Sequence, residues 1–265
     1  MQVRSFGISH RGLVRDLNED RFLNIEKEGL FLIADGMGGL AKGDVASRIA
    51  VETIETFVTK SRREDITWPI KYQKQHSMEE NRFLAAVSLA NWKIYNEMLR
   101  SPRNTPMGTT LVGLLVDGES VILVNIGDSR AYRIRNRQIE QLTEDHSLVM
   151  EEVKKGRITL EQARRHPQRH VINRALGIFD TSEVDITTEQ IQDGDLYVLC
   201  SDGLSDMLLD DEILSLVQAR EKYALNDIGE ALIDLANGHG GKDNITVVLV
   251  AFSEQDELRD LGIEQ

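Results

Sequence analysis

The chain has a single cysteine, Cys200, so it forms no internal disulfide and suits a reducing compartment. Only four prolines occur in 265 residues. No Pro-, Gly- or Ser-rich linker, repeat or low-complexity tract divides the sequence, and one domain is the economical reading. Positive charge is scarce: 31 Lys+Arg stand against 44 Asp+Glu, a formal net charge of −13. Such a chain lacks the basic stripe that displaces counterions from nucleic acid, and anionic lipid repels it. Long apolar runs are missing too. Val247–Phe252 is among the longest and falls far short of the ~20 residues that span a bilayer. The opening Met1-Gln2-Val3-Arg4-Ser5-Phe6 has no signal-peptide apolar stretch. No Cys/His cluster with zinc spacing exists. The expectation is a cytoplasmic protein with no nucleic-acid partner and no membrane insertion.

Hydrophobic residues make up 41% of the chain, enough for a core; a chain of this length hides roughly 70–75% of its unfolded surface. Apolar, β-branched segments bounded by Gly, Asp or Asn predict strands at 30–34, 109–116, 121–126, 131–135, 196–200 and 245–252. Helical spacing runs through Val45, Ile49, Thr53 and Phe57, through Phe83, Val87, Ala90, Ile94 and Met98, and through Ile228, Leu232, Leu235 and Ala236, stopping at Asn237-Gly238. Strands 121–126 and 131–135, joined by Gly127-Asp128-Ser129-Arg130, read as an antiparallel hairpin. Helices fall in blocks around the strands, favouring sheets covered by helices over a parallel βαβ repeat. Residues 61–80, polar and holding Trp68-Pro69, read as a surface excursion. Residues 147–175 carry seven Lys/Arg against three Glu and read either as a solvated helical pair or as a flap facing an anionic substrate. Cys200, in Leu196-Tyr197-Val198-Leu199-Cys200, reads as a buried small hydrophobe rather than a nucleophile.

The informative feature is the placing of carboxylates. Asp35 ends an apolar strand and opens Asp35-Gly36-Met37-Gly38-Gly39; Asp128 ends another; Asp202 follows a third in Ser201-Asp202-Gly203. Asp243 precedes a fourth in Asp243-Asn244, and Glu19-Asp20 precede a fifth. Asx turns explain any one Asp-Gly pair, but five acidic strand ends are harder to dismiss. If they converge, their repulsion demands cations, and all-oxygen ligands select hard ions, Mg²⁺ or Mn²⁺. A poly-carboxylate two-metal centre points to phosphate-ester hydrolysis, with Arg15 placed to bind the phosphate bidentately.

The ordered set Arg15-x-x-Asn18-Glu19-Asp20, Asp35-Gly36-Met37-Gly38-Gly39, Gly108-Thr109-Thr110, Gly127-Asp128-Ser129-Arg130, Ser201-Asp202-Gly203 and Asp243-Asn244 resembles the metal-dependent PPM-type (type 2C) Ser/Thr protein phosphatases, in their bacterial single-domain form. The resemblance implies an α+β, four-layer α-β-β-α sandwich: two central antiparallel sheets flanked by helices, over residues 1–252, with an acidic tail at 253–265. It implies two Mg²⁺ or Mn²⁺ ions per chain, held by Glu19, Asp35, the Gly36 carbonyl, Asp202 and Asp243, with Asp35 shared between them. A third, weaker site is implied at Asp128, Asp202 and Asp206. Asp20 and Asn244 would orient waters of the centre, and Arg15 would hold the substrate phosphate. Residues 147–175 would be the flap. The implied activity is hydrolysis of phosphoserine and phosphothreonine in proteins by a water between the metals, opposing a eukaryotic-like Ser/Thr kinase and acting on its substrates.

The sequence departs from the pattern at one place. Many relatives carry His in or just after the Asp35 loop, where it is a candidate general acid; here those positions are Met37 and Leu40. The departure favours protonation by a metal-bound water, to which Lys42, His166 or His170 could contribute, and the acid is not assigned. A second class of reading is a catalytically silent phosphoprotein-binding module. Its signature would be a missing metal carboxylate, and every expected position is filled.

Overall fold

The computed structural model describes residues 1–38, 42–101, 105–219 and 223–254. The expected acidic tail, apart from its first two residues, and Leu40 lie outside them. In chain order the elements are β1 (Gln2–His10), β2 (Asp20–Ile25), β3 (Leu30–Gly38), α1 (Lys42–Ser61), α2 (Met78–Arg100), β4 (Met107–Thr109), β5 (Leu111–Asp117), β6 (Ser120–Ile126), β7 (Arg130–Arg135), β8 (Gln138–Gln141), α3 (Leu148–Lys154), α4 (Leu160–Arg164), β9 (Asp185–Gln190), β10 (Leu196–Cys200), α5 (Asp202–Ser205), α6 (Asp210–Ala219), α7 (Leu225–Gly238) and β11 (Ile245–Ser253). They build two antiparallel sheets, one in the order β1-β11-β10-β7-β8 and the other β2-β3-β5-β6-β9, with β4 paired to β3.

Period-2 alternation within the apolar runs explains the layering, because successive strand side chains point to opposite faces. On β3, Leu30, Leu32 and Ala34 pack with α1 and α2, while Phe31 and Ile33 face the sheet that holds β10 and β11. On β10, Leu196, Val198 and Cys200 face the α5–α7 side, while Tyr197 and Leu199 face the sheet that holds β3 and β5. The same split divides Val247 and Leu249 from Val248 and Val250 on β11. Both faces of each sheet are covered, so the central strands are apolar throughout. This is the four-layer α-β-β-α sandwich. Cys200 is fully buried, and burial pushes its thiol up to about 12.

Three expectations are corrected. Strands β6 and β7 are not a hairpin: β6 pairs with β5 and β9 in one sheet, β7 with β10 and β8 in the other. Gly127-Asp128-Ser129-Arg130 is a corner between sheets, with Gly127 at φ 108°. Two short apolar runs around a glycine turn look alike in both cases; here both edges of β6 are already taken. Next, the strand expected at 109–116 breaks at Thr110 into β4 and β5, for a reason given below. Finally, the 61–80 excursion is anchored. Ile66, Trp68 and Ile70 pack on the α1–α2 core, the Trp68 ring meets Phe57 edge-on at 5.9 Å, and Arg82 lies 5.7 Å over it. Residues 147–175 do contain a helical pair, α3 and α4.

Candidate metal centre

Acidic strand ends from both sheets meet at one end of the sandwich. Asp20 opens β2 directly across from Asp35 on β3, Asp128 lies in the corner after β6, Asp202 follows β10, and Asp243 precedes β11. The groups act on one another. Burial, then the charges of Asp20, Asp202, Asp128 and Asp243, holds the Asp35 carboxyl well above its usual range. Asp202 is raised likewise, by burial and then by Asp128, Asp243, Asp206 and Asp20. Asp128 is pushed up to about 7 by burial and by Asp145.

Neutral hydroxyls fix the carboxylates in place. Asp20 is 1% exposed, and its Oδ2 accepts hydrogen bonds from Ser201 Oγ (2.8 Å) and Thr246 Oγ1 (2.6 Å). These bonds join β2 to the ends of β10 and β11 across the two sheets. They oppose burial, which leaves the Asp20 carboxyl at about 6. Asp35 is gripped through its backbone. Thr110 N and Thr109 Oγ1 both donate to Asp35 O (2.9 and 2.8 Å), and Asp35 N donates to Thr110 Oγ1 (3.2 Å). Thr110 Oγ1 also meets Ser129 Oγ at 2.7 Å, tying the strand carrying Asp35 to the corner carrying Asp128. Thr110 stays in register opposite Asp35, but Asp35 N goes to the Thr110 side chain and not to its carbonyl, so the reciprocal backbone bond is replaced and the strand breaks there.

Glu19 sits where two backbones touch. A Cβ on Gly36 would overlap the carbonyl of Gly43 and crowd that of Glu19, so only glycine lets the start of α1 close on β3. The α1 N-terminus then presents the Gly43 amide to Glu19 Oε1 (3.1 Å), a favourable seat for a carboxylate. Asn244 holds the loop between β1 and β2: its Oδ1 accepts from Glu19 N (2.8 Å), and its Nδ2 donates to Leu17 O (2.8 Å) and Arg11 O (3.0 Å). The side chain expected to orient waters spends its hydrogen bonds on this loop, which carries both Glu19 and Arg15. Arg15 Nη2 donates to Asp243 Oδ2 at 2.6 Å. That bond, partly opposed by desolvation and aided by the charges of Asp243, Asp202 and Asp35, raises the guanidinium pKa.

Asp206, one helical turn beyond Asp202, faces His170 of the 147–175 segment, with His170 Nδ1 3.0 Å from Asp206 Oδ2. The base of that segment clasps the Asp128 corner. His146 N donates to Gly127 O (2.8 Å), Gly127 N donates to His146 Nδ1 (3.1 Å), and Arg130 pairs bidentately with Asp145 at 2.9 and 2.7 Å. Six of the seven basic side chains of the segment lie within 4 Å of a carboxylate, among them Lys154 with Glu144 and Arg174 with Asp185. The basic island is thus largely matched locally. His166 Nδ1 accepts from Gln168 N within the segment. Met37 occupies β3 opposite Gly108.

The donor set fits hard divalent ions. Oδ1 of Asp20 and Oδ1 of Asp202 are buried without a hydrogen-bond partner among the described residues, and buried carboxylate oxygens are costly to leave so. Several carboxylates held above their usual range by one another, with Arg15 as the cation paired to Asp243, are stabilised as anions by bound cations. Sequence reasoning missed Ser201, Thr246, Ser129 and the Asp145-His146 clasp. Ser201 stood inside a quoted motif; Thr246 reads locally as an ordinary β-branched strand residue and carried no signal.

Residues 7–245 match the family described as Protein phosphatase 2C. The chain is 35% identical over 258 residues to the serine/threonine phosphatase stp of Listeria welshimeri, covering 94% of this chain and 96% of that one. The crystal structure of the Mycobacterium tuberculosis serine/threonine phosphatase PstP/Ppp superposes with a TM-score of 0.83 at 37% identity, covering 96% of this chain and 100% of that one. The PstP catalytic domain in complex with two manganese ions gives a TM-score of 0.80 at 34% identity, covering 95% and 99%. With its acidic strand ends gathered at one end of this sandwich, the chain belongs to the protein phosphatase 2C family.

Proposed function

We infer that this chain is a metal-dependent serine/threonine protein phosphatase using Mg²⁺ or Mn²⁺. The observation that supports the reading is the mutual influence of Asp20, Asp35, Asp128, Asp202 and Asp243 from separate chain segments, with Oδ1 of Asp202 buried and without a hydrogen-bond partner among the described residues. Asp35, Glu19 and the Gly36 carbonyl would hold one ion, and Asp35, Asp202 and Asp243 the other; Asp128 with Asp202 and Asp206 would hold a third. When bound, paired divalent ions lower the pKa of a water between them and neutralise charge on the transferring phosphoryl group. The chain's own part is positioning. Arg15 offers two parallel N–H donors to the phosphate, and the Thr109-Thr110 grip and the Asp20–Ser201–Thr246 bonds hold the carboxylates fixed.

Around Arg15 the loop exposes Leu13 (65%), Val14 (65%) and Leu17 (56%), apolar ground that suits a protein segment better than a small polar ester. The natural substrates in this reading are phosphoproteins in the cytoplasm, among them a Ser/Thr kinase and the proteins it phosphorylates. No helix among the described residues is long and apolar enough to cross a membrane. The test is hydrolysis of a phosphothreonine peptide with Mn²⁺, Mg²⁺ or EDTA, beside the Asp202→Asn variant. Activity should require the metal and vanish in the variant. Near-wild-type turnover by Asp202→Asn would remove that residue from the centre; no turnover by metal-loaded wild type would favour the silent binding module.

A further inference from the structure

We propose that His170 is a metal ligand: with Asp202 and Asp206 it forms a mixed nitrogen–oxygen site for a transition-metal ion, and that bond fastens the 147–175 segment onto the acidic centre. The proposal deepens the metal reading of this centre and rests on it.

Three observations carry it. The ligand atoms of His170, Asp202 and Asp206 all lie within 4.8 Å of one another. Oδ1 of Asp202 is buried with no hydrogen-bond partner among the described residues, so the most enclosed member of the trio has an unused acceptor. The backbone around His170 is also pinned. Leu148 N donates to Val171 O at 2.8 Å, Asn173 N donates to His146 O at 2.9 Å, and Ser147 and Ile172 form a β-bridge. His170 therefore emerges at the point where the segment returns to its base, aimed at α5. The same base, through His146, grips the Gly127 backbone beside Asp128. An ion held by His170 would tie the returning strand of the segment to α5, while the His146 clasp ties its base to the Asp128 corner.

Nitrogen makes the difference. Oxygen ligands alone suit Mg²⁺ and Mn²⁺ alike, whereas an imidazole tilts a site toward transition ions, which outrank Mg²⁺ for nitrogen donors. The implied carboxylate site would accept either ion; with His170 it prefers the transition metal, and only that ion engages the segment.

The experiment uses the whole chain, wild type and His170→Ala, with Mn²⁺ as probe. His170 is half exposed, so the variant keeps its core; circular dichroism checks this. Mn²⁺ binding is followed by the solution electron-spin-resonance signal of the free ion. In wild type a site beyond the first two should bind Mn²⁺ about tenfold or more tighter than in His170→Ala, on the scale of losing a ligand-supporting group. Pulsed electron-spin resonance of the saturated wild type should show directly coordinated ¹⁴N, absent from the variant; every other proposed ligand is oxygen, so the coupling has one source. Trypsin cleavage at Lys154, Lys155 and Arg157 should slow with Mn²⁺ but not Mg²⁺ in wild type, and with neither in the variant. Superimposable Mn²⁺ isotherms, or no ¹⁴N coupling at saturation, would overturn the ligand role and leave the His170–Asp206 contact a plain hydrogen bond. Absence of any Mn²⁺ binding by either protein would sink the metal reading itself, a result distinct from equal binding by both.

Discussion

Stripped of divalent ions, this protein should lose stability as pH rises from mildly acidic to neutral, the reverse of ordinary acid denaturation. Asp20 makes the case in quantity. Its carboxyl moves from 3.8 to about 6 in the fold, because burial outweighs the hydrogen bonds from Thr246 and Ser201. A raised acid pKa means that the folded state keeps a proton the unfolded chain has given up. Stability is therefore unaffected below the unfolded value, falls between the two values, and above the folded one carries the full penalty. Two pH units correspond to about 3 kcal/mol. About half of that, ~1.5 kcal/mol, accrues between about pH 5 and about pH 7.5, or roughly 3–6 °C in Tm for a chain of this size. Asp128, pushed up to about 7, adds in the same direction.

The assay is urea or thermal unfolding in chelator at these two pH values, for wild type and Asp20→Asn. Asparagine stays neutral, and its amide can still meet the Ser201 and Thr246 hydroxyls. The fall in stability with pH should be shallower in the variant by ~1.5 kcal/mol. Mn²⁺ at a hundred times its Kd should restore about 2.7 kcal/mol at neutral pH by mass action. Parallel stability–pH curves for the two proteins in chelator, or a wild type that gains stability toward neutral pH, would refute the reasoning.

Thr110→Val keeps the β-branched shape but removes the Oγ1 contacts with Ser129 Oγ and Asp35 N; it should cost about 1–2 kcal/mol in urea unfolding and lower kcat with little change in KM, because it loosens Asp35 rather than the Arg15 loop. Cys200→Ala should leave phosphatase turnover intact while costing roughly 1 kcal/mol of stability, and the native thiol, fully buried and pushed up to about 12, should resist alkylation until the protein is unfolded.

The central strands were legible because both faces are buried. Leu196–Cys200 was placed to the residue, and the apolar stretch of β11 to within one. The strands left out were β1, β8 and β9, which hold polar and half-exposed residues; β1 and β9 also depend on partners far along the chain. The β6–β7 hairpin went wrong for a related reason: a local pattern records a turn but not which sheet receives the next strand. At the site, the charged residues were legible as acidic strand ends, since carboxylates at turns beside glycine stand out. The groups that hold them were not. Ser129 and Thr246 are small, neutral and buried, and their meaning comes only from Thr110 and Asp20 across the sandwich.

This division of labour has a physical basis. Adding cations to steady the carboxylates would neutralise the very charge that a metal needs, and burying the carboxylates alone would drive them to the protonated form. Hydroxyls avoid both outcomes. Ser201 and Thr246 each donate one hydrogen bond to Asp20 Oδ2 and leave its Oδ1 without a partner among the described residues, fixing direction without cancelling charge. Arg15 sits on an exposed loop and meets Asp243 at the rim of the cluster, where an incoming phosphate can compete for it. The bonds that join the two sheets at this end are thus the same bonds that aim the acidic groups. Loosening that seam should lower metal affinity and stability together, whereas removing Arg15 should reach neither to the same degree.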